Sequence, residues 1–126
     1  MMGPHKNLKV WEKAMLLVTK IYKETTSYPT SETYGLVGQM RKAVVSITSN
    51  IAEGYGRTSN NDLLLFLHHA LASSNELDSQ IEVSKNIGYL SEGSFKELDT
   101  LNEEVNKMLK SLIYTRTNST DLTSKP

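Results

Sequence analysis

The chain has 126 residues with 14 basic and 14 acidic side chains, so no overall field favours a nucleic acid or a membrane surface. It contains no cysteine, which excludes disulfides and thiol chemistry and suits a reducing compartment. The length predicts one domain around a single core. We recognise no signal peptide and no apolar run of the roughly 20 residues needed to span a bilayer, so we expect a cytoplasmic protein with no membrane contact.

Charge is distributed unevenly along the chain. Residues 1–57 hold eight Lys/Arg and four Asp/Glu, whereas residues 58–126 hold six and ten. Opposite net charges on the two halves favour head-to-tail packing or an acidic partner for the first half, although solvated faces produce the same pattern.

Turn-forming residues divide the chain into four segments of helical periodicity. The breaks lie at residues 28–30, 54–59 and 88–93. We predict helices over about residues 6–27, 31–55, 59–88 and 91–115, with disordered ends at 1–5 and 116–126. Four such helices with short connections predict an all-α fold, an antiparallel up-down-up-down four-helix bundle.

Apolar residues recur every three or four positions within each segment. The first segment carries a main row and a flanking row, namely Leu8, Trp11, Met15, Val18 and Tyr22, flanked by Val10, Ala14, Leu17 and Ile21. The second and third rows are Val37, Met40, Val44, Ile47 and Ile51, and Leu63, Leu67, Ala70, Ser74, Leu77 and Ile81. The fourth is Leu98, Leu101, Val105, Met108 and Leu112, flanked by Leu109 and Ile113. The wide first and fourth rows predict a second buried surface, hence self-association into a homo-oligomer.

Polar residues and glycines at the breaks suggest how the helices begin and end. We expect Thr30 or Ser31 to cap the second helix, Ser59 the third and Ser91 the fourth. Gly54 or Gly56 is expected to take a left-handed conformation that ends the second helix.

The motifs of common catalytic and metal sites are missing from this sequence. The loop around Gly54 and Gly56 follows a helix and lacks the lysine of a phosphate loop. There is no Glu-x-x-His pair, and adjacent His68 and His69 would point about 100° apart on a helix. Neither a cysteine nucleophile nor a Gly-x-Ser-x-Gly elbow is present. We therefore expect no catalytic residue, no metal, no cofactor and no enzyme activity.

A polar stripe runs beside the apolar row of the second helix and continues on the third. Its members are Gln39, Ala43, Ser46, Asn50, Glu53 and Arg57, with His69, Ser73, Glu76 and Gln80 on the third helix. The candidate structural or interface motif consists of Gln39, Ser46, Asn50, Glu53, Gly54, Gly56, Arg57, Ser73 and Glu76. Such a stripe is a satisfied network that fixes register, a subunit interface, a solvated face or a ligand site, and the sequence leaves these open. In an antiparallel hairpin, Arg41 would lie level with about Glu76.

A row of lysines on the first helix is the main basic feature of the sequence. Together with later cations it gives the candidate phosphate contacts Lys6, Lys9, Lys13, Lys20, Lys23, Arg41, Lys42 and Arg57. The alternative is an ordinary solvated face, because no arginine lies in the row and no aromatic ladder accompanies it.

Several of these residues together resemble one family, that of the 23S rRNA intervening sequences, also known as S23 ribosomal protein-like. They are residues 8–15 (LKVWEKAM), Tyr34, Gly35, Leu36, Gln39, Arg41, Ser46, Ile47, residues 50–54 (NIAEG), Gly56 and Arg57. Phe66, Leu67, Ala70, Ser73, Glu76, Leu77 and residues 87–90 (IGYL) are similar to it too. The resemblance covers about residues 8–113.

The resemblance implies a homopentamer of four-helix bundles. The family is also similar to the accessory variability proteins of diversity-generating retroelements, which bind a reverse transcriptase and nucleic acid through basic surfaces. The resemblance implies no catalytic residue. Glu53 and Arg57 would instead contact neighbouring helices or neighbouring chains. We thus expect a non-enzymatic scaffold for RNA, DNA or a nucleic-acid-processing protein; the alternative is a protein-interaction or self-assembly module without nucleic-acid binding.

Overall fold

The computed structural model describes residues 3–123 and shows four α-helices in that range. They are α1 (Lys9–Thr25), α2 (Leu36–Tyr55), α3 (Asn60–Asn86) and α4 (Glu92–Thr123). Short 3-10 helices at Pro4–Asn7 and Thr30–Glu32 precede α1 and α2. No strand occurs in residues 3–123, so the predicted all-α class is confirmed.

Each helix packs against the next one in the chain, and α4 closes the bundle against α1. Within residues 3–123 the diagonal pairs, α1 with α3 and α2 with α4, make no close backbone approach. Cross-helix contacts fix the antiparallel directions, since Lys13 meets Glu104 while Lys20 meets Glu97. The predicted antiparallel four-helix bundle is therefore confirmed.

The core follows the predicted rows in α2 and α3 but not in α1. All predicted row residues of α2 and α3 are buried. In α1 the flanking row fills the core, whereas Met15 and Tyr22 of the main row are partly exposed. Helix α1 packs against α2 and α4, and the row that faces the space between these two helices is the buried one.

The two ends of α2 differ from expectation. Neither Thr30 nor Ser31 caps α2; the Glu32 carboxylate accepts a hydrogen bond from the Leu36 amide at 3.2 Å instead. Helix α2 ends at Tyr55, and the residue that caps it, Gly56, has φ −88°, so the left-handed ending predicted for Gly54 or Gly56 is wrong. The capping predictions for Ser59 and Ser91 are confirmed, because each hydroxyl accepts an amide hydrogen bond three residues on.

Helix α4 continues to Thr123 rather than ending near residue 115. Part of the predicted tail is therefore helical. The Arg116 carbonyl accepts a hydrogen bond from Asn60 at 3.1 Å, and its guanidinium lies 5.8 Å from the Tyr55 ring. These contacts extend the bundle past the predicted end. At the other terminus, Pro4–Asn7 is a 3-10 helix; residues 1–2 and 124–126 of the predicted disordered ends lie outside the described residues.

Candidate interaction surfaces

The glycine-containing motif at the end of α2 joins α2 to α3. Glu53 and Arg57 form an ion pair at 2.7 Å, and the Arg57 guanidinium stacks 4.9 Å from the centre of the Phe66 ring. Gly54 is buried where the helices cross, and a β-carbon there would lie 3.0 Å from Phe66 Cβ and 3.1 Å from Leu63 Cδ1. This part of the motif thus sets the approach of two helices within one chain.

The polar stripe divides into a hydrogen-bonded part and an exposed part. Ser46 and Ser73 share a hydroxyl hydrogen bond at 2.8 Å across α2 and α3, and the Asn50 amide donates to Ser46 Oγ at 2.9 Å. This part is a satisfied network that ties the two helices in register. Gln39 and Glu76 are exposed and line a groove beside it.

A second polar network between α3 and α4 was missed by the sequence reading. The Asn102 side chain, 2% exposed, accepts from the Ser74 hydroxyl at 2.9 Å and donates to the Ser74 carbonyl at 3.1 Å. Asn106 adds hydrogen bonds to Ser74 and to Asn75. The available signal was spacing, because Asn102 falls between Leu98 and Val105 on the apolar row of α4.

An acidic crevice between α3 and α4 adjoins this network. It has a volume of about 160 Å³ and is lined by Asn75, Asp78, Asp99, Asn102, Glu103 and Asn106. Desolvation raises the pKa of Asp99, and the nearby charges of Asp78, Glu103 and Glu82 raise it further. The Lys85 ammonium opposes this shift in part. Desolvation, together with the neighbouring carboxylates, therefore makes the ionised form of Asp99 unfavourable in the folded chain.

We expect Asp99→Asn to raise the melting temperature at neutral pH. The folded chain holds the Asp99 proton more tightly than the unfolded chain, so this carboxyl removes stability as pH rises through its titration range. Below about pH 3, where the unfolded carboxyl is also largely protonated, the variant and the wild type should melt alike.

Thermal melts at both pH values check this, with Asp62→Asn in the first turn of α3 as the control. The control should gain nothing at neutral pH, because a carboxylate is favourable at a helix N-terminus. If Asp99→Asn melts no higher than the wild type at neutral pH, carboxylate crowding at Asp99 does not limit stability.

Four of the eight candidate cations are already engaged within the chain. Lys13 pairs with Glu104 at 3.4 Å and Lys20 pairs with Glu97 at 3.0 Å, so acids of α4 neutralise the middle of the lysine row. Arg57 pairs with Glu53 as described above.

The fourth engaged cation, Arg41, faces α1 rather than Glu76. It donates to the Thr25 hydroxyl at 3.0 Å and to the Tyr22 carbonyl at 3.2 Å, and its guanidinium lies 4.5 Å from the centre of the Tyr22 ring. The expected alignment of Arg41 with Glu76 therefore brings no contact, because the side chain points to the opposite neighbour.

The other four candidates, Lys6, Lys9, Lys23 and Lys42, are exposed. Within residues 3–123 they form no ion pair. Lys6, Lys9 and Lys23 belong to the first segment, and Lys42 lies on α2. The free cations of the predicted set are thus fewer and more widely spaced than the sequence pattern indicates.

The described part of the chain contains no cluster of three or more His, Asp or Glu side chains placed to hold a metal ion. His68 and His69 are exposed, and the His69 ring meets the Phe66 ring edge-on at 5.8 Å. No helix within residues 3–123 is both long and apolar enough to cross a bilayer.

The family model described as 23S rRNA-intervening sequence protein matches residues 6–111. The chain belongs to this family. The match begins in the first 3-10 helix and ends within α4, so it includes the α2–α3 junction and both polar networks.

A solved structure shows that the fold of this 23S rRNA-intervening sequence family member recurs. It is the crystal structure of a protein with unknown function from the S23 ribosomal protein family of Bacteroides thetaiotaomicron. The TM-score is 0.75 at 24% sequence identity, covering 82% of this chain and 97% of that chain. A search of curated proteins finds no match.

Proposed function

We propose that this family member is a non-catalytic scaffold that assembles from identical copies and binds RNA or DNA through Lys6, Lys9 and Lys23. The observation that carries the proposal is the division of the predicted cations. These three lysines are exposed and lack an acidic partner within residues 3–123, whereas Lys13 and Lys20 are neutralised by α4.

The spacing of the free lysines suits a phosphate backbone better than a compact anion. Lys9 and Lys23 are separated by fourteen residues of α1, which is about 21 Å at 1.5 Å per residue. One small ligand cannot touch both side chains at that separation, but a nucleic acid presents phosphates along its whole length. Repetition of Lys6, Lys9 and Lys23 in every subunit of an oligomer would multiply the positive charge.

Assembly is part of the same proposal. Met15 and Tyr22 remain 38% and 40% exposed on α1, and Val45 remains 38% exposed on α2, so apolar side chains are available for contact with other copies. The resemblance described above implies five subunits and a nucleic-acid-processing protein as a further partner. A cytoplasmic location is the expectation from the lack of cysteine and of a recognisable signal peptide.

A second candidate is a protein-interaction or self-assembly module without nucleic-acid binding. The ion pairs of Lys13 and Lys20 favour it, because they interrupt the basic row at its centre. The two candidates differ in their response to salt. Each phosphate neutralised by a lysine releases counterions, so nucleic-acid affinity must fall steeply as salt rises.

We expect the triple change Lys6→Ala, Lys9→Ala and Lys23→Ala to weaken binding of a labelled RNA hairpin with single-stranded flanks. At low salt the loss should be about tenfold or more, and the slope of log affinity against log salt should fall by about 2 to 3. Fluorescence anisotropy over a salt series measures both.

The matched control removes three lysines from α4: Lys96→Ala, Lys107→Ala and Lys110→Ala. It changes the net charge equally but leaves the α1 edge intact, so it should retain most of the affinity. Equal losses of RNA affinity in the two triple variants would contradict the assignment of RNA binding to Lys6, Lys9 and Lys23. Wild-type protein that binds no RNA at low salt, or binds it regardless of salt, would favour the second candidate.

A further inference from the structure

Two lysines in the middle of α1 are paired with two acids of α4 at matching positions. Lys13 and Lys20 are seven residues apart, and so are Glu97 and Glu104, which is about 10.5 Å along each helix at 1.5 Å per residue. The ammonium–carboxylate distances are 3.4 Å for Lys13 and 3.0 Å for Lys20. Because the helices are antiparallel and the spacings agree, both pairs form together and neutralise the middle of the lysine row.

The same register leaves the lysines at the two ends of α1 without an acid directly opposite them on α4. It places Met108 opposite Lys9 and Ser94 opposite Lys23. Lys9 and Met108 line the same small groove, of about 210 Å³, between the two helices. The positions of the acids on α4 therefore determine which lysines of α1 remain free.

The two ion pairs lie at the surface of the bundle, where both border a groove of about 450 Å³ between α1 and α4. The side chains of Lys13 and Glu104 are 39% and 48% exposed, and those of Lys20 and Glu97 are 31% and 55% exposed. Ion pairs as exposed as these contribute little to the stability of a fold. Their removal should therefore leave the bundle intact, so that their effect on ligands can be measured separately.

A phosphate that approached either central lysine would compete with a carboxylate attached to α4. The carboxylate cannot leave with the displaced solvent, because its helix is packed against α1. It would stay beside the incoming phosphate, and like charges at short distance repel. A lysine that is already neutralised by a carboxylate also releases fewer counterions from the nucleic acid when it binds. Lys13 and Lys20 thus add little to the affinity for phosphate.

We infer that Glu97 and Glu104 compete with nucleic acid for the two central lysines and so restrict phosphate binding to the ends of α1. The inference rests on the proposed function and adds an internal control of the same binding face. It also adds a requirement for length, since a ligand must reach about 21 Å to use Lys9 and Lys23 together.

Removing the two acids tests the inference. We expect the double change Glu97→Gln and Glu104→Gln to raise the affinity for the labelled RNA hairpin about fivefold or more at low salt. The slope of log affinity against log salt should steepen by about 1 to 2, because two more lysines become free to neutralise phosphates. Adding Lys13→Ala and Lys20→Ala to this variant removes both partners of each pair and restores the net charge, so affinity and slope should return to the wild-type values. Fluorescence anisotropy measures both quantities, and thermal melts confirm that each variant is folded.

The matched control is Glu76→Gln with Glu82→Gln on α3. Both acids are exposed, and neither forms an ion pair with a residue between positions 3 and 123. The control changes the net charge equally but frees no lysine of α1, so its salt slope should match that of the wild type. Equal steepening in the two double variants, or an unchanged slope after loss of the α4 acids, would overturn the inference while wild-type RNA binding still supported the proposed function. If neither the wild type nor the variant without the α4 acids binds RNA at low salt, the proposed function fails and the inference fails with it.

Discussion

Leu77→Ala is expected to lower the free energy of unfolding by about 2–5 kcal/mol. Leu77 lies in the middle of α3 and is 0% exposed, so its removal leaves a cavity among the four helices. The loss combines the lost transfer free energy of the side chain with the cost of a cavity that closely packed neighbours fill only in part. Because small domains are stable by only about 5–15 kcal/mol, this change removes a large share of the total.

Leu65→Ala on the same helix is the matched control for this prediction. Leu65 is 50% exposed, so the same truncation should change the free energy of unfolding by less than about 1 kcal/mol in a single chain. Urea titrations followed by circular dichroism measure both values. Equal losses for Leu65 and Leu77 would mean that the exposed side of α3 is buried in an assembly or that the assigned core is wrong.

Gly54→Val is expected to cost about 1–3 kcal/mol through overpacking at the α2–α3 crossing. The new β-carbon would lie 3.0 Å from Phe66 Cβ and 3.1 Å from Leu63 Cδ1. The leucine methyl can rotate away, but Phe66 Cβ is fixed to the backbone, so the helices must separate. The stacking of Arg57 on the Phe66 ring would be disturbed at the same time.

Gly93→Ala in the first turn of α4 provides the contrasting control. A β-carbon there meets nothing within 4 Å, so only helix propensity changes, and stability should rise by up to about 1 kcal/mol. Thermal melts distinguish the two outcomes by their sign. A Gly54→Val variant as stable as the wild type would show that α2 and α3 tolerate a wider separation than the contacts indicate.

The sequence predicts the number, order and class of the helices because each helix has a local signature. Repeating apolar residues mark the core rows of α2 and α3, and Ser59 and Ser91 mark two helix starts. These features depend on residues within about four positions of one another, which is the range over which periodicity and capping operate.

Features that depend on neighbouring helices were harder to predict. Which of the two apolar rows of α1 becomes buried depends on where α2 and α4 lie. The sequence pattern does not give these positions, so it did not show that the flanking row would fill the core. The end of α4 is similar, since Asn60 and Tyr55 contact Arg116 from other helices. Nothing within residues 116–123 alone indicates those contacts.

The candidate sites also combine features that the sequence indicates with features that depend on neighbouring helices. The sequence places Ser46 and Ser73 on polar stripes of two neighbouring helices but leaves open whether these stripes form a network, an interface or a solvated face; the hydrogen bond between the two hydroxyls is seen only in the fold. The pairing of Lys13 and Lys20 with acids of α4 is likewise seen only in the fold, because their partners lie more than 70 positions away in the chain. A row of lysines on one helix therefore overstates the free positive charge of the folded bundle.

We propose that this bundle works as an assembly of identical copies, with exposed apolar and charged side chains of α1 and α2 turned toward sister chains or ligands. Light scattering on the purified wild-type chain at micromolar concentration tests that claim most directly. We predict a particle whose mass is a whole multiple, two or greater, of the 14.1 kDa chain mass. A particle that stays at 14.1 kDa throughout the micromolar range would contradict it.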